Sequence, residues 1–285
     1  MTDKPLIDLR EFETFAAGLD HPEGLAFDAD HSLWAGGELG QVYRIGNDGA
    51  VNEVVRLGGF CLGLTFSRRQ HLWICNTGLG ALQQLDRSGR LLGSIDRVAE
   101  ARLKNPNFSV FDSEDNLYFS DSGTWGEADG CIYRRRASGK TEYFAGPYAF
   151  PNGLALSRDE RSLYIAQSMK DNVLQVPILP DGRAGEPAVY AAGLSRVPDG
   201  LAFDSDGNLY VTCYATHNLY RVSPSGEVTL LAFDPQGTML AAPTNVAFGP
   251  SGDGGLYVAN LGRWHICRAR IGVHGQPLAG EQGEL

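Results

Sequence analysis

One pattern recurs six times along the chain and restricts the folds that it can adopt. Each unit contains a short apolar strand, a turn, and then a leucine followed by an aromatic residue. The marker leucines are separated by 39, 45, 46, 46 and 47 residues; they are Leu33, Leu72, Leu117, Leu163, Leu209 and Leu256. A repeat of this length with four short strands is typical of a β-propeller blade. The sequence therefore predicts an all-β protein, a six-bladed β-propeller with four antiparallel strands per blade.

The fifth unit illustrates how the strands are assigned. Apolar segments at 201–204, 209–213, 219–222 and 228–233 are separated by turns rich in Asp, Ser, Pro and Gly, which favour hairpins. The last unit has only three such segments, at 246–248, 256–259 and 266–271. Residues 12–17 resemble the fourth strand of a blade, but they precede the first repeat and have no blade of their own. They are predicted to complete the sixth blade, because this closure removes a free sheet edge.

These boundaries define the predicted organisation of the chain. Residues 1–285 are expected to form a single propeller domain, with an ordered core at about 12–271. Residues 273–285 are rich in Gly, Gln and Glu and are predicted to be a mobile tail.

One position in each first strand is predicted to face the central channel. Counting four residues back from the Phe or Leu that ends the strand gives Glu23, Leu62, Asn107, Asn152, Asp199 and Thr244. Two carboxylates in a narrow channel would repel each other and lose hydration. A hard divalent cation bound by these oxygens would resolve the conflict. The alternative is a solvated channel in which Asp and Asn cap backbone groups.

Charge and cysteine content exclude several classes of function. The chain has 24 basic and 34 acidic residues, a net charge of −10, which argues against nucleic-acid or anionic-membrane partners. No signal-peptide-like segment and no apolar run of about 20 residues is present, so a cytoplasmic location is predicted. Its five cysteines lack metal-site spacing and are expected to be free, mostly buried thiols.

Three tripeptides connect this pattern to a known family. Pro-Glu-Gly at 22–24, Pro-Asn-Gly at 151–153 and Pro-Asp-Gly at 198–200 occur in order in blades one, four and five. With the blade pattern from about residue 12 to 271, the chain resembles the gluconolactonase and regucalcin (senescence marker protein) family of six-bladed propellers. The resemblance implies that Glu23, Asn152 and Asp199 bind one divalent metal ion (Ca, Mg, Mn, Zn or Fe(II)). It also implies that Asp199 is the catalytic base and that Asn107 contacts substrate or metal-bound water.

The first blade also has a second resemblance. Segments 33–38 and 40–44 are similar to strictosidine-synthase-like propellers, which are metal-free and use a glutamate. The substrate class therefore stays open.

Topology places further candidates on the ring face of the propeller. Loops at 97–106, 121–130, 167–172, 212–218 and 260–265 are expected there. Arg102 or Lys104 is predicted to bind oxygen atoms of the substrate, and Asp121 is predicted to bind its hydroxyl groups. Trp125 and Tyr148 are predicted to form aromatic platforms for the substrate. Asp121 as a turn cap and Trp125 as a hydrophobic plug are the alternatives. His217 and His265 are proton-shuttle candidates, although a structural role is favoured for both. Acidic segments such as 204–207 are expected on the opposite face, and we interpret them as turns rather than calcium-binding loops.

The leading hypothesis is metal-dependent hydrolysis of a lactone, with a sugar-derived lactone as the expected small-molecule substrate. Asp199 would take a proton from the attacking water while the ion polarises the carbonyl. Organophosphate or other ester hydrolysis at the same metal, or a non-catalytic ligand-binding propeller, are the rivals. A monomer or small homo-oligomer is expected. The sequence does not specify which lactone or which metal.

Overall fold

In the part of the chain that the structure describes, six four-stranded antiparallel sheets form the blades of a propeller. The computed structural model describes residues 4–250 and 252–277. The first three blades run in chain order from the channel outward: β2 to β5 (Leu25–Phe27, Leu33–Gly36, Gln41–Ile45, Val51–Arg56), β6 to β9 (Cys61–Phe66, Leu72–Asn76, Ala81–Leu85, Leu91–Ile95) and β12 to β15 (Pro106–Phe111, Leu117–Asp121, Gly130–Arg135, Thr141–Tyr148).

The remaining blades repeat this order and close the ring. They are β16 to β19 (Pro151–Leu156, Ser162–Gln167, Asn172–Pro177, Ala188–Ala192), β20 to β23 (Pro198–Phe203, Leu209–Cys213, Asn218–Val222, Val228–Phe233) and β24 to β26 (Pro243–Phe248, Gly255–Asn260, His265–Arg270) with β1 (Phe12–Ala17). Strand β1 pairs antiparallel with β26, from Phe12 opposite Ala269 to Ala17 opposite His265. The predicted six-bladed all-β fold and its closure by the N-terminal strand are therefore confirmed.

The core of the protein lies between blades rather than within one central cluster. Six clusters of buried apolar side chains occur among the described residues, one for each pair of neighbouring blades. Trp34, fully buried, packs edge-on against Phe66 of the next blade with ring centroids 5.7 Å apart. The marker leucines, at or next to the start of each second strand, are at most 1% exposed because each belongs to one of these clusters.

The first strands begin earlier than the sequence pattern suggests. Strand β20 starts at Pro198 rather than at residue 201, and its register with β21 shifts between Pro198 and Leu201. Comparable shifts occur at the start of β6, β12, β16 and β24. A bulge of this kind can re-aim a side chain without ending the strand. The ring residues of these blades therefore lie inside strands, at irregular pairing.

Two predicted irregular segments have structure. Residues 97–106, expected as a loop, contain a small hairpin formed by β10 (Arg97–Val98) and β11 (Ala101–Arg102). The predicted mobile tail begins too early, because His274 and Gln276 hydrogen-bond to the backbone of blade five. The rest of that prediction, residues 278–285, lies outside the described residues. Short 3-10 helices occur at Leu9–Glu11, Thr77–Leu79 and Tyr214–Thr216.

The five cysteines agree with the prediction of free, mostly buried thiols. All five cysteines are free, and Cys61, Cys75, Cys213 and Cys267 are buried, with Cys131 partly so. In the described part of the chain, no helix has the length and apolar character needed to cross a membrane.

Candidate metal centre

The ring residues are held at one level of the channel by close backbone packing. Each of four blades has a glycine directly after its ring residue: Gly24, Gly63, Gly153 and Gly200. A Cβ atom on Gly153 would approach the Asp199 carbonyl oxygen to 2.2 Å, and one on Gly24 would approach that of Leu62 to 2.2 Å. Any side chain there would force neighbouring blades apart. These glycines therefore set the spacing of the ring.

The oxygen atoms at this level are buried and lack partners. Glu23, Asn107, Asn152 and Asp199 are each only 4–6% exposed. One oxygen of each side chain, namely Oε2 of Glu23 and Oδ1 of the other three, has no hydrogen-bond partner among the described residues. Leaving such a group unpaired costs about 1–3 kcal/mol. Since carboxylate and amide oxygens only accept, a cation or a set of donors is needed to stabilise them.

Burial also changes the acidity of both carboxyl groups. Desolvation raises the pKa of Glu23 well above its ordinary value, and the nearby Asp199 charge raises it further. Desolvation likewise raises the pKa of Asp199, although the neighbouring Asn152 amide acts in the opposite direction. A divalent cation would favour the charged form of both groups. The donor set thus fits a hard divalent ion.

The chain leading into the ring is strained. Two residues before Glu23, Asn152, Asp199 and Thr244, the backbone adopts positive φ at a non-glycine residue: His21 (43°), Phe150 (56°), Val197 (63°) and Ala242 (51°). For β-branched Val197 this conformation is a clear outlier. Each such residue costs about 1–3 kcal/mol, and such strain clusters at functional sites. The strain is an independent indication that this level of the channel has a function.

Ser168 orients one of the ring side chains. Its hydroxyl donates to the Pro198 carbonyl at 2.8 Å, and the Asn152 side-chain amide donates to the same hydroxyl at 3.3 Å. The nitrogen of that amide is thereby used, and Oδ1 is left free for a cation. This role of Ser168 was not predicted from the sequence. A signal for it exists, because a serine follows the second strand at the same place in blades three and four, at Ser122 and Ser168.

Ser168 belongs to a wider set of contacts between blades. Hydroxyl groups reach the backbone carbonyl of a ring residue in the next blade: Ser120 to Asn152 at 2.8 Å, Thr212 to Thr244 at 3.0 Å and Thr244 to Glu23 at 3.0 Å. All of these hydroxyls are at most 2% exposed. The positions of Asn152, Thr244 and Glu23 therefore depend on the blade before each of them.

A second acidic cluster lies close to blade one. One ligand atom each from Asp20, His21 and Glu38 lies within 4.8 Å of the others. These groups already have partners, since His21 Nδ1 is 2.7 Å from Asp20 and 2.8 Å from Glu38, and Gln41 donates to Asp20 at 2.8 Å. We favour the ring as the metal centre because its oxygens have no such partners. His21 is thus paired with two carboxylates.

The predicted substrate-binding residues occupy different environments. Asp121 is buried and accepts the backbone N–H groups of Lys104 at 2.9 Å and Asn105 at 2.7 Å, both from the segment before the first strand of the blade. It also accepts the backbone N–H of Gly123 at 3.2 Å, the local contact that its alternative interpretation as a turn cap describes. The Arg102 side chain is 72% exposed and donates to Asp96 at 3.3 Å. Lys104 pairs with Asp129 at 2.7 Å. Substrate binding by these three side chains stays a prediction.

The aromatic candidates also differ in exposure. Trp125 is 59% exposed and contacts Phe150 edge-on, with ring centroids 4.8 Å apart. Tyr148, predicted as a platform, is only 7% exposed and packs in the core between blades three and four. Trp125 is therefore accessible and its role as a platform stays a prediction, whereas Tyr148 is covered.

Both histidine candidates make structural contacts. His217 Nδ1 accepts the backbone N–H of Ala242 at 2.8 Å. His265 lies 3.0 Å from the Met239 carbonyl through Nε2 and 3.4 Å from the Arg263 carbonyl through Nδ1. These contacts agree with the structural role that the sequence analysis favoured.

The fold and the ring together define a class: a six-bladed propeller with an acidic, all-oxygen centre at one end of its channel. Residues 61–262 match the family model described as the SMP-30/Gluconolactonase/LRE-like region. The chain belongs to this family, as the tripeptide motifs indicated.

Individual relatives agree with this assignment. The chain is 32% identical to a lactonase drp35 of Staphylococcus saprophyticus over 206 residues, 66% of this chain and 62% of the relative. It is 26% identical to a gluconolactonase of Zymomonas mobilis over 202 residues, 64% of this chain and 55% of the relative. The chain thus spans about three fifths of the length of these relatives. A solved gluconolactonase from Xanthomonas campestris has the same fold, with a TM-score of 0.79, 21% identity, and 93% and 89% of the two chains covered.

Proposed function

We propose that this protein is a lactonase that depends on a divalent cation bound by Glu23, Asn152 and Asp199. The observation that carries the proposal is the set of buried oxygens without partners at one level of the channel. Two of them belong to carboxyl groups whose pKa is raised by burial. Buried, unpaired acceptors and perturbed carboxyl groups are characteristic of catalytic and ligand sites.

Each ring residue has a distinct task in this proposal. Glu23 and Asp199 provide the two negative charges that a divalent ion needs, and Asn152 adds a neutral oxygen that Ser168 orients. Asn107 presents its free Oδ1 from the third blade, where it can accept a hydrogen bond from water or a substrate hydroxyl. When bound, the cation would polarise the lactone carbonyl and offset the charge that develops on its oxygen.

Asp199 is the proposed general base. Because a cation in contact with a carboxylate lowers its basicity, one Asp199 oxygen would have to stay off the cation to act as the base. Its role is to accept a proton from the water that attacks the carbonyl carbon. The carbonyl–oxygen ester bond then breaks, and the proton passes to the ring oxygen as it becomes the product hydroxyl.

The choice of a lactone rests on the relatives, two of which are named as a lactonase and a gluconolactonase. Five- and six-membered lactones are the expected class, with a sugar-derived lactone as the first candidate. Calcium is a suitable first ion to test because all proposed ligands are oxygens. The cytoplasmic location and the monomeric or small oligomeric state stay predictions.

A lactone-opening assay with a pH indicator tests the proposal. Rates above the buffer blank are measured for glucono-δ-lactone, other lactones, a phenyl ester and a phosphotriester. The protein is assayed as purified, after chelation, and after addition of Ca²⁺, Mg²⁺, Mn²⁺ or Zn²⁺. We expect lactones to react fastest, chelation to abolish the rate, and one cation to restore it.

Three results would contradict the proposal. Activity that survives both exhaustive chelation and Asp199→Ala would exclude the mechanism. A phosphotriester that reacts faster than every lactone would support the rival hydrolase. Tight cation binding without turnover of any substrate in the panel would support a non-catalytic binding propeller.

A further inference from the structure

A cavity occupies the end of the channel opposite the candidate metal centre. It has a volume of about 500 Å³ and receives residues from the first strands of all six blades. This size lies within the range of about 300–1,000 Å³ that is typical of small-molecule sites. We propose that this cavity, which we call the lower cavity, binds a small uncharged molecule with an apolar body and one hydrogen-bond acceptor.

The wall of the lower cavity is mainly apolar. Phenylalanines line it in five of the blades, at Phe27, Phe66, Phe108, Phe111, Phe203 and Phe248. Small side chains lie between them, among them Ala155 and Ala202. A molecule with aromatic or alicyclic surface would displace water from this wall and gain affinity from the apolar surface that it buries.

One polar group at the inner end gives the cavity a direction. Asn245 lines the cavity and follows the ring residue Thr244, so it lies just below the ring. Asn245 is 1% exposed, and its side-chain Nδ2 has no hydrogen-bond partner among the described residues. An amide nitrogen only donates, so its complement is an acceptor such as a ketone or hydroxyl oxygen. A ligand would therefore enter with its polar end towards Asn245.

The charges around the cavity do not favour an ion. None of the described lining residues is a lysine or arginine. Asp28 is already bound by Trp34 Nε1 at 2.9 Å and by Arg87 at 3.0 Å, and Glu160 accepts the Ser113 backbone N–H at 2.7 Å. An anion would find no free cation there, and a cation would compete with existing pairs. The ligand should be neutral.

The chain itself restricts what can enter. Residues 274–277 line the cavity after crossing from blade six. The Ser205 N–H donates to the His274 carbonyl at 2.8 Å, the Gln276 N–H to the Phe203 carbonyl at 2.9 Å, and the Gln276 side chain to the Leu156 carbonyl at 3.1 Å. This strap occupies part of the mouth. A small molecule can pass beside it, whereas a folded partner would have to displace it.

Three probes of similar size test the proposal on the full chain. Acetophenone has an apolar body and one acceptor, toluene lacks the acceptor, and benzoate is charged. Binding is measured by ligand-observed NMR titration with saturating Ca²⁺ present, so that the metal centre does not change between samples. We expect acetophenone to bind with a Kd of about 1 mM or tighter, with toluene and benzoate weaker by about 5-fold or more.

Two variants locate the site. Ala202→Trp fills the cavity and is expected to abolish acetophenone binding. Because a large side chain can also disturb folding, Asn245→Leu serves as the second variant: it should weaken acetophenone by about 5–10-fold and leave toluene unchanged. Lactone turnover is an independent measurement, so failure of this proposal is distinguishable from failure of the proposed function.

Each remaining outcome overturns the proposal. No binding of acetophenone at about 10 mM would mean that the cavity holds water only. Equal binding of acetophenone and toluene, or binding that is unchanged in Asn245→Leu, would remove the assigned polar contact. Binding that survives in a folded Ala202→Trp variant would place the probe elsewhere.

Discussion

Buried acidic and amide side chains occur at both ends of the first strands, but their environments differ. Asp199 and Asp204 are only five residues apart and are 6% and 2% exposed. Asp204 accepts the backbone N–H groups of Asp206 at 3.0 Å and Asn208 at 2.8 Å, and the Asn208 side chain at 2.8 Å. Asp199 Oδ1 has no hydrogen-bond partner within residues 4–250 and 252–277. The same residue type at similar burial is satisfied at one end and unsatisfied at the other.

The contrast recurs in other blades. Asp28 and Asp112 lie five residues after Glu23 and Asn107, and both accept backbone N–H groups of their own turns. Burial of a carboxylate is therefore not in itself a sign of function in this protein. The informative property is an oxygen that the fold leaves without a donor.

The largest effect is expected for Asp199→Asn compared with Asp204→Asn. The first change removes the proposed base and one charge from the metal centre, and lactone turnover should fall by at least about 10²–10⁴-fold. Cation-free Asp199→Asn should stay folded or become more stable, because a buried charge beside Glu23 is removed. Steady-state rates and thermal unfolding are measured on both variants.

Asp204→Asn is the matched control for this experiment. It should keep Ca²⁺ binding and turnover while it loses stability. Equal loss of activity in both variants, at equal loss of stability, would mean that the two ends of the strand do not differ in function.

The next effect concerns the hydroxyl that orients Asn152. Ser168→Ala should weaken Ca²⁺ binding by about 10–100-fold, the range typical of residues that position a metal ligand. Ser120→Ala is the matched control, since Ser120 donates to the Asn152 backbone carbonyl rather than to its side chain. Isothermal titration calorimetry compares the two. Similar Ca²⁺ affinity in both variants would leave Ser168 with a packing role only.

At the opposite end, Asp28→Asn should affect stability alone. The new amide would place a donor against Trp34 Nε1 and Arg87, both of which now donate to Asp28 Oδ2. The free energy of unfolding should fall by about 1–3 kcal/mol, while Ca²⁺ affinity stays unchanged. Urea unfolding and calorimetry check both parts. A fall in Ca²⁺ affinity larger than that of Ser168→Ala would contradict the separation of the two ends.

The smallest effect is a pH dependence specific to the ring. Because the folded-state pKa values of Glu23 and Asp199 are raised, the cation-free folded protein binds more protons than the unfolded chain above the ordinary carboxyl pKa. Its stability should therefore fall as the pH rises from about 5 to about 8, whereas the added stability from Ca²⁺ should grow. Melting temperatures in EDTA and in CaCl₂ measure this. A pH slope that persists in the Glu23→Gln and Asp199→Asn double variant would assign it to other groups.

The sequence alone determined the blade count, the strand order and the level of the ring. These features follow from local patterns, since strand alternation, turn residues and repeat length are properties of neighbouring residues. The 12–17 segment, predicted from its pattern to close the ring, became strand β1 with the same bounds. The motifs around Glu23, Asn152 and Asp199 identified the family for the same reason.

The partners of individual side chains required the tertiary structure. Asp121 could equally contact substrate or cap a turn in sequence, and only the fold brought it to the N–H groups of residues 104 and 105. The Arg102 side chain donates a hydrogen bond to Asp96, and the Ser168 hydroxyl donates one to the Pro198 carbonyl of the next blade. Such contacts depend on how distant segments pack.

The two ends of the channel show the same division between what the sequence determines and what the tertiary structure decides. The sequence placed acidic residues at both ends of the first strands, but only the folded chain decided which oxygens meet backbone donors and which remain unpaired. It also brought residues 274–276 back to blades four and five, where they border the lower cavity. The physical reason is that hydrogen-bond satisfaction is a property of three-dimensional packing, while the propensity to form a strand or a turn is encoded locally.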